Sequence, residues 1–95
     1  PPPAVLAATD PAQPYGATLD WPDTAGRPTR SAGAICVLSR GHVVGWYDVR
    51  SHHLVTFERT LEPANVAVLT EALGNLVKDG RAKSVEAQDQ RRVAR

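Results

Sequence analysis

Ninety-five residues, of which 42% are hydrophobic and 5% aromatic, make one domain or part of one. Eleven Lys and Arg against ten Asp and Glu leave a net charge of +1, which is not the strongly basic balance of a stand-alone nucleic-acid binder. No apolar run approaches the ~18–20 residues of a membrane span, no basic-then-apolar leader is present, and the single Cys excludes an internal disulfide, so a reducing, cytoplasmic setting is expected.

The chain opens Pro1-Pro2-Pro3 and contains no Met, which reads as a processed chain or a piece of a longer one; the second is favoured. Prolines fix φ and cannot donate to a ladder, so this start is extended. Val5-Leu6-Ala7-Ala8 then forms either a short strand or an apolar strip against the core.

Asp10–Pro22 is the most distinctive segment. Asp10 and Gln13 each precede a proline and are pushed out of the helical region. Gly16 can take a positive φ right after Tyr15. An ordered, non-helical loop pinned by aromatics follows. Tyr15, Leu19 and Trp21 are read as anchors on a sheet; the alternative is a nucleic-acid contact in which Tyr15 or Trp21 stacks on a base. Asp23–Ser31, with Gly26 and Pro28, is an exposed loop. Its Arg27 and Arg30 are either phosphate contacts or solvated charges, and the Arg-over-Lys bias of the chain fits bidentate phosphate contact or a GC-rich genome.

Three β-rich runs come next, separated by short polar breaks, as in an antiparallel meander. Ala32–Leu38 is continuously apolar over Ala34–Leu38, which suggests burial on both faces. Its Cys36 reads as a small buried hydrophobe rather than a nucleophile, since no partner residue is evident. In Val43–Val49, strict alternation puts Val43, Gly45, Tyr47 and Val49 on one face and Val44, Trp46 and Asp48 on the other. Gly45 marks a bulge or a close backbone approach. Asp48 needs a partner if buried; a general-base role is the remote alternative. Leu54–Phe57 is the third strand. The turns Ser39-Arg40-Gly41-His42 and Arg50-Ser51-His52-His53 lie at opposite ends of the meander, so His42, His52 and His53 do not make a zinc set.

Pro63 suits a first helical turn, and Val66, Leu69, Ala72, Leu73, Leu76 and Val77 recur at helical spacing. The expected helix is Pro63–Asp79, ending at Gly80 with Lys78 near its negative end. Gly74 in mid-helix implies close packing there. Arg81–Gln88 reads as a short polar edge strand, and 89–95 as a charged, frayed tail. The organisation is thus 1–31, an extended Pro-rich lead-in with its aromatic loop; 32–88, a β-β-β-α-β domain; and 89–95, the tail. The sequence has no phosphate-binding Gly-rich Lys-Ser/Thr loop, dinucleotide fingerprint, Gly-x-Ser-x-Gly or paired-Cys knuckle.

The run Leu6–Pro22, with Thr9-Asp10-Pro11-Ala12-Gln13-Pro14-Tyr15-Gly16 and Trp21-Pro22, resembles a stretch of the large helicase-related (Lhr) family of superfamily 2 helicases. In that family a Thr-Asp-Pro-Ala-x-Pro-Tyr-Gly segment ends at Trp-Pro. An Arg-Pro loop, an Ala-Gly start to a β meander and a closing Leu-x-Thr-Phe follow. Arg27-Pro28, Ala32-Gly33 and Leu54-Val55-Thr56-Phe57 match these in order, and the likeness covers about Leu6–Val85. Both turns depart from the family, which tends to an acidic-Gly first turn and a Gly-rich second; here both are more basic. The resemblance implies a C-terminal piece of an ATP-dependent DNA helicase acting in DNA repair. ATP and Mg²⁺ would serve the parent enzyme, and the resemblance identifies no cofactor site or catalytic residue in this chain.

The expected fold is α+β: an antiparallel β meander, open or part of a β-barrel, with one packed amphipathic helix. The first functional expectation is an accessory nucleic-acid-binding or scaffold module, contacting single-stranded or duplex DNA through Arg27, Arg30, Arg40, Arg50 and His52, with Tyr15 or Trp21 as a stacker. The second is a protein-interaction or structural domain that meets neighbouring domains of the same polypeptide. The third is a glycosylase-like activity on a carboxylate such as Asp20 or Asp48.

Overall fold

A computed structural model describes the backbone of residues 2–93 and the side chains of residues 2–80. The elements are β1 (Ala4–Ala7), β2 (Ala34–Ser39), β3 (His42–Asp48), β4 (His53–Val55), a 3-10 turn at Glu58–Leu61 and α1 (Pro63–Val93). The fold is α+β, as expected. The strands form one antiparallel sheet in the order β1-β2-β3-β4. Among the described residues the sheet is open, with β1 and β4 as its edges, so the meander does not close into a barrel.

Of the two readings of the chain start, the strand is the one found. Val5 pairs with Val37 and Leu6 with Cys36, so the lead-in joins the sheet beside β2. This makes β2 a central strand and accounts for its unbroken apolar run. Ala34 and Cys36 enter a core with Trp46, Val55 and Phe57 on one face. Ile35 and Val37 meet Val44, Leu69 and Ala72 on the other. The loop 8–31 covers the first face and α1 covers the second.

Strict alternation fails in β3, and the pairing shows why. The register passes from Val37↔Gly45 to Leu38↔Val43, so Val44 is an extra residue in a β-bulge. The extra residue puts Val43 on the loop-side face with Trp46, while Val44 turns to the helix side. Gly45 also faces α1: a Cβ there would lie 2.5 Å from Leu69 Cδ1. Gly45 therefore marks a bulge and a close approach together. The carbonyl of Val44 is taken by Thr60 Oγ1 at 2.6 Å, and the same hydroxyl accepts the Phe57 N–H at 2.8 Å. Phe57 is still extended (φ −125°, ψ 170°), so the chain stays straight past β4 before entering the 3-10 turn.

Helix α1 begins at Pro63, as expected, but does not stop at Gly80. The residues expected to form an edge strand, Arg81–Gln88, lie within it, as does the tail to Val93; residues 94–95 lie outside the described residues. Ala, Lys, Arg, Glu and Gln after Gly80 are good helix formers, and a helical Gly costs only about 1 kcal/mol, so one Gly does not end the helix. Gly74 is not a packing glycine either, since a Cβ there would meet nothing within 4 Å. The helix seats Leu69 and Ala72 on the sheet with Val68 and Leu73 beside them. Val66 and Val77, both expected in the apolar stripe, are instead exposed, because the sheet reaches only the part of the helix around Leu69 and Ala72. No helix among the described residues is long and apolar enough to cross a membrane.

Candidate nucleic-acid interface

The aromatic loop is built around a buried glutamine. Asp10 Oδ1 accepts the Ala12 N–H at 2.8 Å, turning the chain at the first proline. Gln13 is fully buried. Its amide donates to the carbonyls of Ala8 (2.9 Å) and Tyr15 (3.0 Å), and its Oε1 accepts the Tyr15 N–H (2.5 Å). One side chain thereby satisfies three backbone groups that the prolines leave off any ladder. Arg30 closes the loop from outside, donating to the carbonyls of Gln13, Thr9 and Asp10.

Tyr15 is buried, stacks on Trp21 (centroids 6.1 Å, planes 26° apart) and donates its hydroxyl to the Gly41 carbonyl at 2.9 Å. Trp21 is half-buried against the same core. Gly16 sits at φ +80°, where a Cβ would come within 2.7 Å of Trp21 Nε1. Both aromatics therefore act as anchors. Of the two arginines on the following loop, Arg30 is occupied by loop carbonyls. Arg27 is exposed. Its loop runs over the sheet: Gly26 lies against Val55, Thr24 donates to the Thr56 carbonyl at 2.7 Å, and Trp46 Nε1 donates to the Thr29 carbonyl at 2.9 Å.

The remaining candidates stand on the two hairpin turns. Arg40 (φ 53°) and Gly41 (φ 81°) form the tight turn between β2 and β3. Two consecutive positive φ values match the twist of paired strands, and Arg40 accepts the left-handed cost that Gly41 does not bear. Arg40 and His42 are exposed there. At the other end of β3, Asp48 Oδ1 accepts the N–H groups of Arg50 (2.9 Å) and Ser51 (3.3 Å). The partner this carboxylate requires is thus the turn backbone, and its structural role is to shape the turn. His52 (φ 58°) hydrogen-bonds Tyr47 Oη through Nδ1 at 2.9 Å, and His53 meets the Trp46 ring edge-on. Arg50 passes beside Gly33. Arg50, His52 and His53 are exposed together on this turn. The seven residues of β3 separate it from Arg40 by about 20 Å, so the expected contacts form two stations rather than one patch.

Sequence reasoning missed Gln13, Thr60 and a cavity of about 200 Å³ whose lining includes His42 and Arg59 together with Tyr15, Pro22, Asp23, Phe57 and Glu58. Only the flanking prolines hinted at Gln13, because a glutamine is ordinarily a surface residue. Cys36 is fully buried, and burial pushes its thiol up to about 11 against the pull of Arg30, which leaves it unsuited to nucleophilic work. Asp20 is an exposed loop residue. Among the described residues, no three His, Cys, Asp or Glu side chains gather as metal ligands would.

No family model matches the chain, and no solved structure matches it. Over 83 residues, 85% of the chain, it is 42% identical to a protein of Mycolicibacterium smegmatis described as Lhr helicase/probable uracil glycosylase. The match spans 5% of that relative's length. It bears out the resemblance to the large helicase-related family carried by the Pro-Tyr-Gly and Trp-Pro motifs.

Proposed function

We propose, from this relationship to the large helicase-related family, that the chain is an accessory nucleic-acid-binding module from the C-terminal part of an ATP-dependent DNA helicase acting in DNA repair in the cytoplasm. The observation that carries the reading is the pair of exposed turns, Arg40 with His42 and Arg50 with His52, the second beside an Asp48 carboxylate that accepts from the turn backbone. Exposed guanidinium groups on ordered turns suit phosphate contact, which is independent of sequence. Arg27 is a third exposed arginine among the expected contacts. The chain has no phosphate-binding loop, so ATP and Mg²⁺ belong to another part of such a parent.

The test is fluorescence anisotropy of the folded chain with a labelled single strand and a labelled duplex at several salt concentrations. Binding that weakens steeply with salt supports phosphate contact. No binding at low salt overturns it. The alternative is a scaffold that meets neighbouring domains of the same polypeptide. It is favoured by the inward commitment of Tyr15, Trp21 and Arg30, and it predicts affinity for a partner domain but not for DNA. The glycosylase-like reading has less support, because the Asp48 carboxylate shapes its turn.

A further inference from the structure

We propose that the open edge of β4, with the 3-10 turn behind it, is a docking site for an extended protein segment that alternates apolar with basic side chains. The site adjoins the Arg50–His53 turn through His53 but does not depend on the nucleic-acid reading.

Among the described residues β4 is the last strand of the sheet and pairs on one side only, with β3. Beyond Val55 the backbone is engaged, the Thr56 carbonyl by Thr24 Oγ1 at 2.7 Å and the Phe57 N–H by Thr60 Oγ1 at 2.8 Å, so the free edge is His53–Val55. An unpaired edge of this kind accepts an added strand through backbone hydrogen bonds, while adjacent grooves select its side chains. The opposite edge is less suited. β1 follows Pro2 and Pro3, which lack N–H donors.

A groove of about 580 Å³ runs along this edge, walled by the stretch from Asp23 to Gly26 on one side and by β4 and Phe57 on the other. It adjoins a second groove through Glu58 and Leu61, which line both. Leu54 is partly exposed here, and Leu61 is 77% exposed, more than any other large hydrophobic among the described residues. A paired apolar strand would cover both.

Charge identifies the occupant. Asp23, Glu58 and Glu62 line the two grooves, against Arg59 and His53. The surface is acidic on a chain whose net charge is +1. That field repels a phosphate backbone and attracts Lys or Arg side chains. It also disfavours a second copy, since β4-to-β4 pairing would bring two acidic grooves together.

The experiment is a titration of the isotopically labelled 95-residue chain with an N-acetylated eight-residue peptide alternating lysine with valine, followed by backbone amide shifts. Saturable shifts confined to 53–58 and Leu61 are expected. Glu58→Lys should weaken binding about tenfold by turning attraction into repulsion. Leu61→Ser, at a position too exposed to affect folding, should weaken it similarly. Shifts located elsewhere, or equal binding of a glutamate-valine peptide, would overturn the proposal. So would displacement of the peptide by a DNA strand, or self-association abolished by Leu61→Ser. Failure here leaves the turn arginines untouched, because they are read separately by DNA anisotropy.

Discussion

Thr60 Oγ1 donates to the Val44 carbonyl at 2.6 Å, joining the turn before α1 to the bulge in β3. The bulge takes Val44 out of regular pairing. The hydroxyl satisfies its buried carbonyl and accepts from Phe57 N–H as well. Thr60→Val keeps the shape but orphans both groups, and should destabilise the fold by about 2–3 kcal/mol. Thr60→Ser should retain most of that stability. Urea unfolding of the two variants measures the difference, and equal midpoints for Val and wild type would refute the role.

Two glycines should respond to alanine in opposite senses. Gly45→Ala drives a methyl into the buried Leu69 and should cost about 1–3 kcal/mol. Pairing it with Leu69→Ala should give a non-additive cycle, because the second change removes the clashing group. Gly74→Ala meets open space inside a helix and should stabilise by about 0.5–1 kcal/mol. Thermal melts of Gly45→Ala, Leu69→Ala, the double variant and Gly74→Ala decide the matter.

The arginines should separate by role. Arg30→Ala removes the donor to three loop carbonyls, so it should lower the melting temperature and leave the salt dependence of DNA binding unchanged. Arg40→Ala and Arg50→Ala should do the reverse. Each should reduce the slope of log K against log salt by about 0.7–0.9 while the fold stays intact. If Arg30→Ala alone flattened the slope, the assignment of contacts to the turns would be wrong.

Cys36 should make stability depend on alkaline pH. Its thiol ionises near the ordinary 9.0 when unfolded but at about 11 in the fold, chiefly through burial. Above pH 9 the unfolded chain therefore binds fewer protons than the folded one, and stability falls as pH rises toward 11. Below pH 9 the contribution is fully present. Cys36→Ala should remove this component, so the difference between its urea midpoint and that of wild type should shrink between pH 8 and 10.5. A constant difference would show that the thiol does not titrate with folding.

Local pattern made much of the fold legible. The β-rich runs around Cys36, Trp46 and Val55, the helix start at Pro63, and a Pro-rich loop pinned by Tyr15 and Trp21 all follow from short-range sterics and residue chemistry. Those constraints act within a few residues and survive any tertiary context. Long-range contacts settled the rest. Pairing with β2 chose the strand over the apolar strip at Val5. Thr60 and Leu69 gave the bulge at Val44 and Gly45 its partners, and so turned the faces of β3 away from simple alternation. The same holds for the candidate site. Arg30 and Arg50 are alike as sequence, but one reaches loop carbonyls far along the chain and the other stands exposed on a turn. A side chain's partners depend on which distant backbone the fold brings within about 3 Å, and residue type and local spacing do not encode that distance.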